Sequence, residues 1–341
     1  MKSLKDYSLN ISEDQYHAHP AWSYSLIAKY AKEGFSAIPT LHTPMAPTPA
    51  MEFGSLFDCL ITDADHVNDR YAVSDMVPTP KEKEVLDCLL TKTDKKFDLI
   101  PDAIVQAAIE ECSYYPKWKY EVQLTHLAEY KEYYDVRKSG KKVVSPSDMA
   151  DARAMADAFL ANPYIQSLFG AKSHSIEHLY QLQLIAKLKT SDGNLVPVKC
   201  MLDHVVVDHA AKTIQPVDVK TISQPAYDWA ENFIRFRYDI QASVYTSVLK
   251  AVLNAHEEYK DYTVLPFVFC AISRIDMQPV SYVYDPCAED QIDGLSFKEY
   301  KYKTWRELLT EIISYEESQA VVPVGISIDD ANDIISILNS R

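Results

Sequence analysis

The stretch MLDHVVVDHAAKTIQPVDVKTI, residues 201–222, predicts two β-strands joined by a turn around DHAAK. Asp203 ends the apolar run of the first strand, and Asp218 and Lys220 lie two residues apart on the second. Residues i and i+2 of a strand share a face, so Asp218 and Lys220 point together while Val219 points the other way. Antiparallel pairing across the turn then brings Asp203 close to Asp218.

The flanking sequence changes period around this hairpin. IEHLYQLQLIAKLKT, residues 176–190, alternates as a strand does and is followed by the turn sequence SDGN. A helix is predicted upstream over residues 145–169, with Ser147 as a possible cap, and a long helix downstream over about 227–253. Two more strands and a final helix follow. The order predicts an α+β fold with a central mixed sheet flanked by helices.

Residues 1–145 read as a mostly helical N-terminal region. It includes an apolar helix over residues 52–62 and another over residues 23–33, with Ser23 as a plausible N-cap. Residues 146–341 contain the predicted sheet. We expect the two regions to form one compact structural domain.

Composition excludes several classes of protein. Only seven of the 341 residues are glycine, and neither a P-loop nor a dinucleotide-binding motif is present. The six cysteines are scattered without a C-x-x-C pair, which favours reduced thiols over a disulfide framework or a zinc site. The sequence shows no signal peptide and no apolar run that could span a bilayer. We therefore expect no membrane association and a cytoplasmic location.

The formal net charge of −15 by itself argues against a nucleic-acid partner. Basic runs nevertheless occur as KWK (117–119), RKSGKK (137–142) and RFR (235–237). Such runs are usually solvated surface, but a basic groove within an acidic body is the alternative.

Asp203 and Asp218 would repel each other unless a proton or a cation lay between them. Mg²⁺ prefers oxygen ligands of this kind, and the carbonyl of Val219 offers a third. Lys220 beside such an ion could hold a water or stabilise charge on a phosphate. The set suits metal-assisted phosphodiester hydrolysis, although two acids near a turn and a surface lysine remain the simpler interpretation.

The next helix carries a polar stripe. Arg237, Gln241 and Tyr245 follow one another at i, i+4 and i+8, where a buried helix face would be apolar. These side chains could contact phosphate and sugar or brace the metal ligands. The alternative is the solvated side of an amphipathic helix.

The pattern D…D-x-K followed by a helical Q-x-x-x-Y resembles the PD-(D/E)XK nucleases, and most closely the RecE (exonuclease VIII) and phage lambda exonuclease group. The segments MLDHVVVDHAAKTIQPVDVKTI and FRYDIQASVYTSVL carry the resemblance, which is specific over about residues 198–250 and loose elsewhere. EFGSLFDCLI is similar to the group's G-x-x-x-H helix, but Asp58 stands where the group has histidine. Asp is a competent Mg²⁺ ligand, so this departure need not remove activity.

The resemblance implies an αβββαβ nuclease core and a Mg²⁺-dependent DNA exonuclease, with Mn²⁺ as a possible substitute. Its substrate would be linear double-stranded DNA, degraded from 5′ to 3′ to leave 3′ single-stranded tails for recombination. It also implies a homo-oligomeric ring, a trimer or tetramer, and a single-strand annealing protein as partner. A ring could reconcile the acidic exterior with a basic channel.

The implied roles divide among three groups of residues. Asp203, Asp218, Asp58 and the Val219 carbonyl would hold metal; Lys220 would activate water; Gln241, Tyr245 and Arg237 would position the strand. Ser23 and Ser25 could bind a terminal phosphate at a helix start, with simple capping as the alternative.

Two other functions stay open. One is a RecB-like nuclease that acts on single strands or flaps within a larger complex, and the other is a catalytically degenerate nucleic-acid-binding module. Contributions from Glu52 and Glu177 are also undecided. His17 and His19 could suggest a metal site, but an H-x-H pair in a polar segment is usually surface. His204 and His209 flank the predicted site without a ligand partner at useful spacing.

Overall fold

A six-stranded mixed sheet forms the centre of the fold. The computed structural model describes residues 2–43, 47–170, 173–289, 291, 293–297 and 300–321. The helices are α1 (Glu13–Ala18), α2 (Tyr24–Glu33), α3 (Pro49–Thr62), α4 (Val67–Arg70), α5 (Pro80–Lys92), α6 (Asp102–Glu111), α7 (Tyr120–Ala128), α8 (Lys131–Lys138), α9 (Pro146–Ala161), α10 (Pro163–Phe169), α11 (Trp229–Arg235), α12 (Tyr238–Asn254) and α13 (Trp305–Val321). The strands are β1 (Tyr71–Val73), β2 (Lys142–Val144), β3 (Ile176–Lys189), β4 (Leu195–Asp208), β5 (Thr213–Ile222), β6 (Thr263–Val264), β7 (Phe267–Ser273), β8 (Val280–Tyr284), β9 (Ser296–Phe297) and β10 (Tyr300–Lys301).

The order of strands in the sheet is β3-β4-β5-β7-β8, with β6 also paired to β5. β3, β4 and β5 form an antiparallel meander, β5 and β7 run parallel, and β8 returns antiparallel to β7. The parallel step needs a crossover, and the chain between β5 and β7 supplies it with α11 and α12. The α+β class with a mixed central sheet flanked by helices is confirmed.

Both turns of the meander have local causes. Gly193 adopts a φ of +88° in the β3–β4 turn, a conformation that glycine reaches without steric cost. In the β4–β5 turn, Asp208 Oδ1 accepts hydrogen bonds from the backbone N–H of Ala210 and Ala211 at 2.9 and 3.0 Å. Such aspartate turns fix the chain reversal, and this reversal sets which residues of β4 and β5 become neighbours.

Apolar side chains cover both faces of the sheet. One face packs against α2, α12 and α13, with Leu184, Leu202 and Val248 fully buried between them. The other packs against α3, α9 and α10 around Phe57 and Phe159. The site described below therefore lies between two filled cores, which limit the movement of its side chains.

Residues 80–143 form a helical unit with a core of its own, centred on Leu86, Leu89 and Tyr134. The parallel pair β1–β2 and an ion pair of 2.9 Å between Lys83 and Glu52 connect it to the rest of the chain. The mostly helical N-terminal region thus contributes to several cores. Its expected boundary at residues 145 and 146 stays a prediction.

The helix expected over residues 145–169 is two helices. Asn162 separates them, because its backbone is extended and Pro163 begins α10. The cap of α9 is Ser145, whose hydroxyl accepts the Asp148 N–H at 3.0 Å, and the expected cap Ser147 was wrong.

The cysteines and the helices add two further facts. All six cysteines are free thiols. None of the helices in the described residues combines the length and apolar content needed to cross a bilayer.

Gly54 allows α3 to lie directly against β5. A Cβ at this position would meet Thr221 Oγ1 at 3.3 Å, closer than an ordinary contact. We expect Gly54→Val to lower the free energy of unfolding by about 2 kcal/mol, because the added methyl groups push the helix from the strand. Urea unfolding would measure this, with Ser55→Val as the matched control on the same helix. Equal losses in the two variants would contradict the close-contact explanation.

Candidate active site

The sheet opens between β4 and β5, and polar side chains fill the opening. The last paired residues are His204 and Val217, beyond which the two strands part. There Asp203 Oδ2 accepts the backbone N–H of Val219 at 3.0 Å, so the carboxylate replaces the missing acceptor of the strand ladder. The Asp203 side chain also lies close enough to Asp218 to raise the pKa of that carboxyl group. The two carboxylates that the sequence predicts to be neighbours are brought together at this opening.

Asp218 is buried and held by one ion pair and one hydrogen bond. Lys220 Nζ lies 2.6 Å from its Oδ2, and Gln241 Nε2 donates to its Oδ1 at 2.5 Å. Burial raises the pKa of Asp218 to about 7, with Lys220 opposing the shift and Asp203 adding to it. Burial alone would lower the pKa of Lys220, but the carboxylate of Asp218 raises it well above its usual value. Lys220 therefore stays a protonated donor.

Asp58 reaches the same opening from α3. Its Oδ2 accepts a hydrogen bond from Gln181 Nε2 at 2.7 Å, whereas its buried Oδ1 has no hydrogen-bond partner in the described part of the chain. Burial raises the pKa of Asp58 to about 8, and repulsion from Asp203 adds to this. Three carboxyl groups, those of Asp58, Asp203 and Asp218, thus share the opening with Lys220.

Gln181 is a site residue that the sequence interpretation missed. Its neighbours in β3 pair regularly, Tyr180 with His204 and Leu182 with Leu202, which places Gln181 opposite Asp203. Gln181 itself has a φ of +49°, a left-handed conformation that turns its amide towards Asp58. A glutamine within an alternating strand gave no signal of this, because Gln183 occupies an equivalent sequence context.

Tyrosine rings line the side of the opening next to α12. The ring of Tyr238 lies 5.2 Å from Lys220 Nζ, and Tyr24 packs edge-on against Tyr245 at 6.4 Å. The Tyr24 hydroxyl donates to the Phe236 carbonyl at 2.7 Å. Burial raises the pKa of Tyr245 well above its usual value, so its hydroxyl remains neutral. Tyr24 and Tyr238 were not among the predicted residues.

Ser23 and Ser25 flank Tyr24 at the start of α2. Ser23 occupies the N-cap position, but its side chain makes no capping hydrogen bond and instead lies 2.9 Å from the hydroxyl of Ser25. Simple capping therefore does not account for Ser23. Its contact with a DNA phosphate stays a prediction.

Arg237 does not belong to the helix that carries Gln241 and Tyr245. The expected helix over residues 227–253 is wrong, because Arg237 adopts a left-handed φ of +55° and ends α11 before α12 begins. Its guanidinium forms a two-point ion pair with Asp239, at 2.9 and 3.0 Å, and also donates to the Lys303 carbonyl at 2.8 Å. The side chain is 8% exposed, and its N–H donors bind groups within the protein.

We expect Arg237→Met to lower the free energy of unfolding by about 3 kcal/mol, because it leaves the buried Asp239 carboxylate without its cation. Thermal unfolding would measure the loss, with the exposed Arg235→Met as the control. An unchanged melting temperature combined with weaker DNA binding would instead make Arg237 a DNA contact.

Glu52 and Glu177, whose contribution to the site the sequence left undecided, form contacts outside the opening. Glu52 pairs with Lys83, and Glu177 contacts Ser3 and lies 3.4 Å from His209 Nε2. His204 is fully buried, and burial lowers its pKa to about 3. None of these contacts involves the carboxylates at the opening.

The opening supplies carboxylate oxygens of the kind that a divalent cation binds. Within the described residues, no group of three or more His, Cys, Asp or Glu side chains has the arrangement of a metal site. The buried, unpartnered Oδ1 of Asp58 and the raised pKa values of Asp58 and Asp218 nevertheless fit a hard cation, which would relieve both.

Comparison with known proteins yields little. No family model matches the sequence, and no curated protein matches it. Among solved structures, the chain is similar to the crystal structure of a protein called SSO0001, with 11% sequence identity and a TM-score of 0.27. The similar region covers 59% of this chain and 81% of that one. Similarity at this level supports no statement about fold or activity.

Proposed function

We propose that the protein is a Mg²⁺-dependent exonuclease that hydrolyses linear double-stranded DNA. One observation carries the proposal: Asp58, Asp203 and Asp218 converge on one opening of the sheet, where Lys220 is the neighbouring cation. Acidic groups cost free energy when they are buried together without a counter-ion. A purely structural site would not need this arrangement.

Asp58, Asp203 and Asp218 are the residues that would hold the ion, and the Val219 carbonyl is the further ligand expected from the resemblance. A bound Mg²⁺ would supply positive charge to the phosphate that is attacked. The same charge would hold Asp58 and Asp218 in their ionised forms, against the burial that raises their pKa values.

The protein's own side chains would orient the water, hold the metal ligands and limit access of solvent. Lys220 is protonated, so it would orient a water by donating a hydrogen bond and would stabilise negative charge on the phosphate. Gln241 holds the Asp218 carboxylate in place through its 2.5 Å hydrogen bond. Tyr245, with Tyr24 and Tyr238, would form a wall that limits water around the reacting groups.

The finer features of the proposal rest on the resemblance to the RecE and lambda exonuclease group. They are degradation from 5′ to 3′, release of 3′ single-stranded tails, a homo-oligomeric ring, an annealing partner, and action in the cytoplasm of a bacterial or phage-infected cell. Ser23 and Ser25, beside Tyr24, are the candidates to receive the terminal phosphate.

Linear duplexes labelled at either the 5′ or the 3′ end would test the proposal, with closed circular DNA as the control. We expect Mg²⁺-dependent release of the 5′ label from linear DNA, none from circles, and none with a chelator. Preferential cleavage of single strands would favour the RecB-like alternative. Binding without any cleavage would favour the degenerate module.

A further inference from the structure

The loop between α6 and α7, residues 113–119, is held rigidly on the surface of the helical unit and is called the KWK loop below. Ser113 and Tyr115 both adopt left-handed backbone conformations, with φ of +48° and +39°. The buried side chain of Gln123 donates to the carbonyls of Tyr114 and Tyr115 at 2.6 and 3.1 Å. Unfavourable backbone conformations persist only where the surroundings fix them, and here Gln123 does so.

The KWK loop presents a stacked pair of aromatic rings. The rings of Tyr115 and Trp118 are 4.2 Å apart and nearly parallel, at 12°. The buried carboxylate of Glu82 accepts a hydrogen bond from the Tyr115 hydroxyl at 3.4 Å, which fixes the Tyr115 ring. Trp118 is 41% exposed, a large exposure for an indole. A flat, immobilised aromatic surface therefore faces solvent.

Lysines surround these rings. Lys117 and Lys119 flank Trp118 and are exposed, and Lys81 Nζ lies 4.5 Å from the centre of the Tyr115 ring. None of the three forms an ion pair with a carboxylate among the residues that the structure describes. Five other cations of the helical unit do form such pairs, whereas the exposed Lys95 and Lys96 do not: Lys83 with Glu52, Lys92 with Glu111, Lys131 with Asp98, Arg137 with Asp87 and Lys138 with Asp94.

We propose that the KWK loop binds single-stranded DNA, with an unpaired base on Trp118 and phosphates at Lys81, Lys117 and Lys119. Stacking needs the face of a base, which a duplex exposes only at its ends, so the surface fits a single strand. The three lysines without carboxylate partners favour a polyanion as the occupant, because lysines that neutralise phosphates release the bound counter-ions.

The proposal rests on the proposed nuclease function for the source of the strand, which would be the one left by degradation. The KWK loop contacts α5 through Lys81 and Glu82, and the next residue, Lys83, is bound to Glu52 of α3. Asp58 lies on that same helix. The helical unit thus connects the KWK loop to the helix that carries Asp58.

The test is binding of a fluorescently labelled single-stranded oligonucleotide to the full chain in the presence of a chelator. We expect Trp118→Ala to weaken binding about tenfold, the effect of losing one stacked base. Trp118→Phe keeps an aromatic face and should bind nearly as the wild type does, which separates stacking from misfolding. Binding of closed circular duplex, which has no end and so exposes no base face, should not change in either variant.

Lys117→Gln combined with Lys119→Gln should reduce the slope of log affinity against log salt by about 1.4, because two phosphate contacts are lost. Lys95→Gln combined with Lys96→Gln is the matched control, since these lysines are exposed in the same helical unit. It should leave the slope unchanged.

Several results would overturn the proposal: unchanged affinity in Trp118→Ala, equal weakening in Trp118→Phe, equal weakening for duplex, or an equal slope change in the control pair. The assay contains no divalent ion, so it is independent of cleavage. Binding through Trp118 without any degradation of DNA would overturn the nuclease proposal alone. Degradation of DNA with no effect of Trp118 on binding would overturn this proposal alone.

Discussion

Lys220→Ala should lower the rate of Mg²⁺-dependent DNA degradation by about a thousandfold, the size of effect expected for a group that assists proton transfer or stabilises developing charge. Lys220 Nζ is 2.6 Å from Asp218 Oδ2 and is held protonated by that contact. Under the proposed function, its removal takes away the donor that would stabilise negative charge on the phosphate. It also removes the cation that opposes the raised pKa of Asp218, so this carboxylate would be protonated more readily and would bind metal less well.

Initial rates on end-labelled linear duplex would measure the loss, and a thermal melt would establish that the variant is folded. Lys212→Ala is the matched control, because Lys212 lies on the same hairpin but pairs with the exposed Asp261 at the far turn. A folded Lys220→Ala protein that degrades DNA within tenfold of the wild-type rate would remove Lys220 from the mechanism.

Asp58→Asn should stabilise the metal-free protein by about 2 kcal/mol at pH 8, because it removes a carboxylate whose charged form is disfavoured by burial and repulsion. In the folded chain the pKa of Asp58 is raised to about 8, above the value of about 3.9 in an unfolded chain. Its contribution to stability is therefore complete below about pH 4 and is lost as the pH rises through about 8. The advantage of the variant should be small at pH 4.5 and should grow up to pH 8.

Urea unfolding at several pH values in a chelator would measure this difference. Asp65→Asn, an exposed change in the segment after α3, is the control and should show no such pH dependence. Added Mg²⁺ should stabilise the wild type by mass action and the Asp58→Asn variant much less. Equal stabilisation of both proteins by Mg²⁺ would mean that Asp58 is not a ligand.

Strand periodicity was enough to predict the meander and the closeness of Asp203 to Asp218. Alternation over residues 176–190 and the turn at DHAAK depend on short-range chemistry, and antiparallel pairing leaves few possible registers. The observed β3 and the β4–β5 turn agree with that prediction. The pairing of Lys220 with Asp218 follows from the same i, i+2 rule.

Helix continuity was less predictable. Residues 227–253 have helical spacing throughout, yet the chain breaks at Arg237, where the ion pair with Asp239 and the contact with the Lys303 carbonyl hold a left-handed backbone. Lys303 is distant in sequence, and contacts of this kind leave no local pattern. The left-handed backbone conformation of Gln181 could not be predicted from the sequence for the same reason.

The sequence by itself determined the three-stranded meander and the shared face of Asp218 and Lys220, because both depend on spacing between near neighbours. Only the tertiary structure decided that α3 lies close enough to β5 to bring Asp58 to the opening, that Gln181 turns to meet it, and that Arg237 is bound within the protein. These outcomes depend on packing between segments far apart in the chain, where the free energy of burial and of pairing charges outweighs local preference.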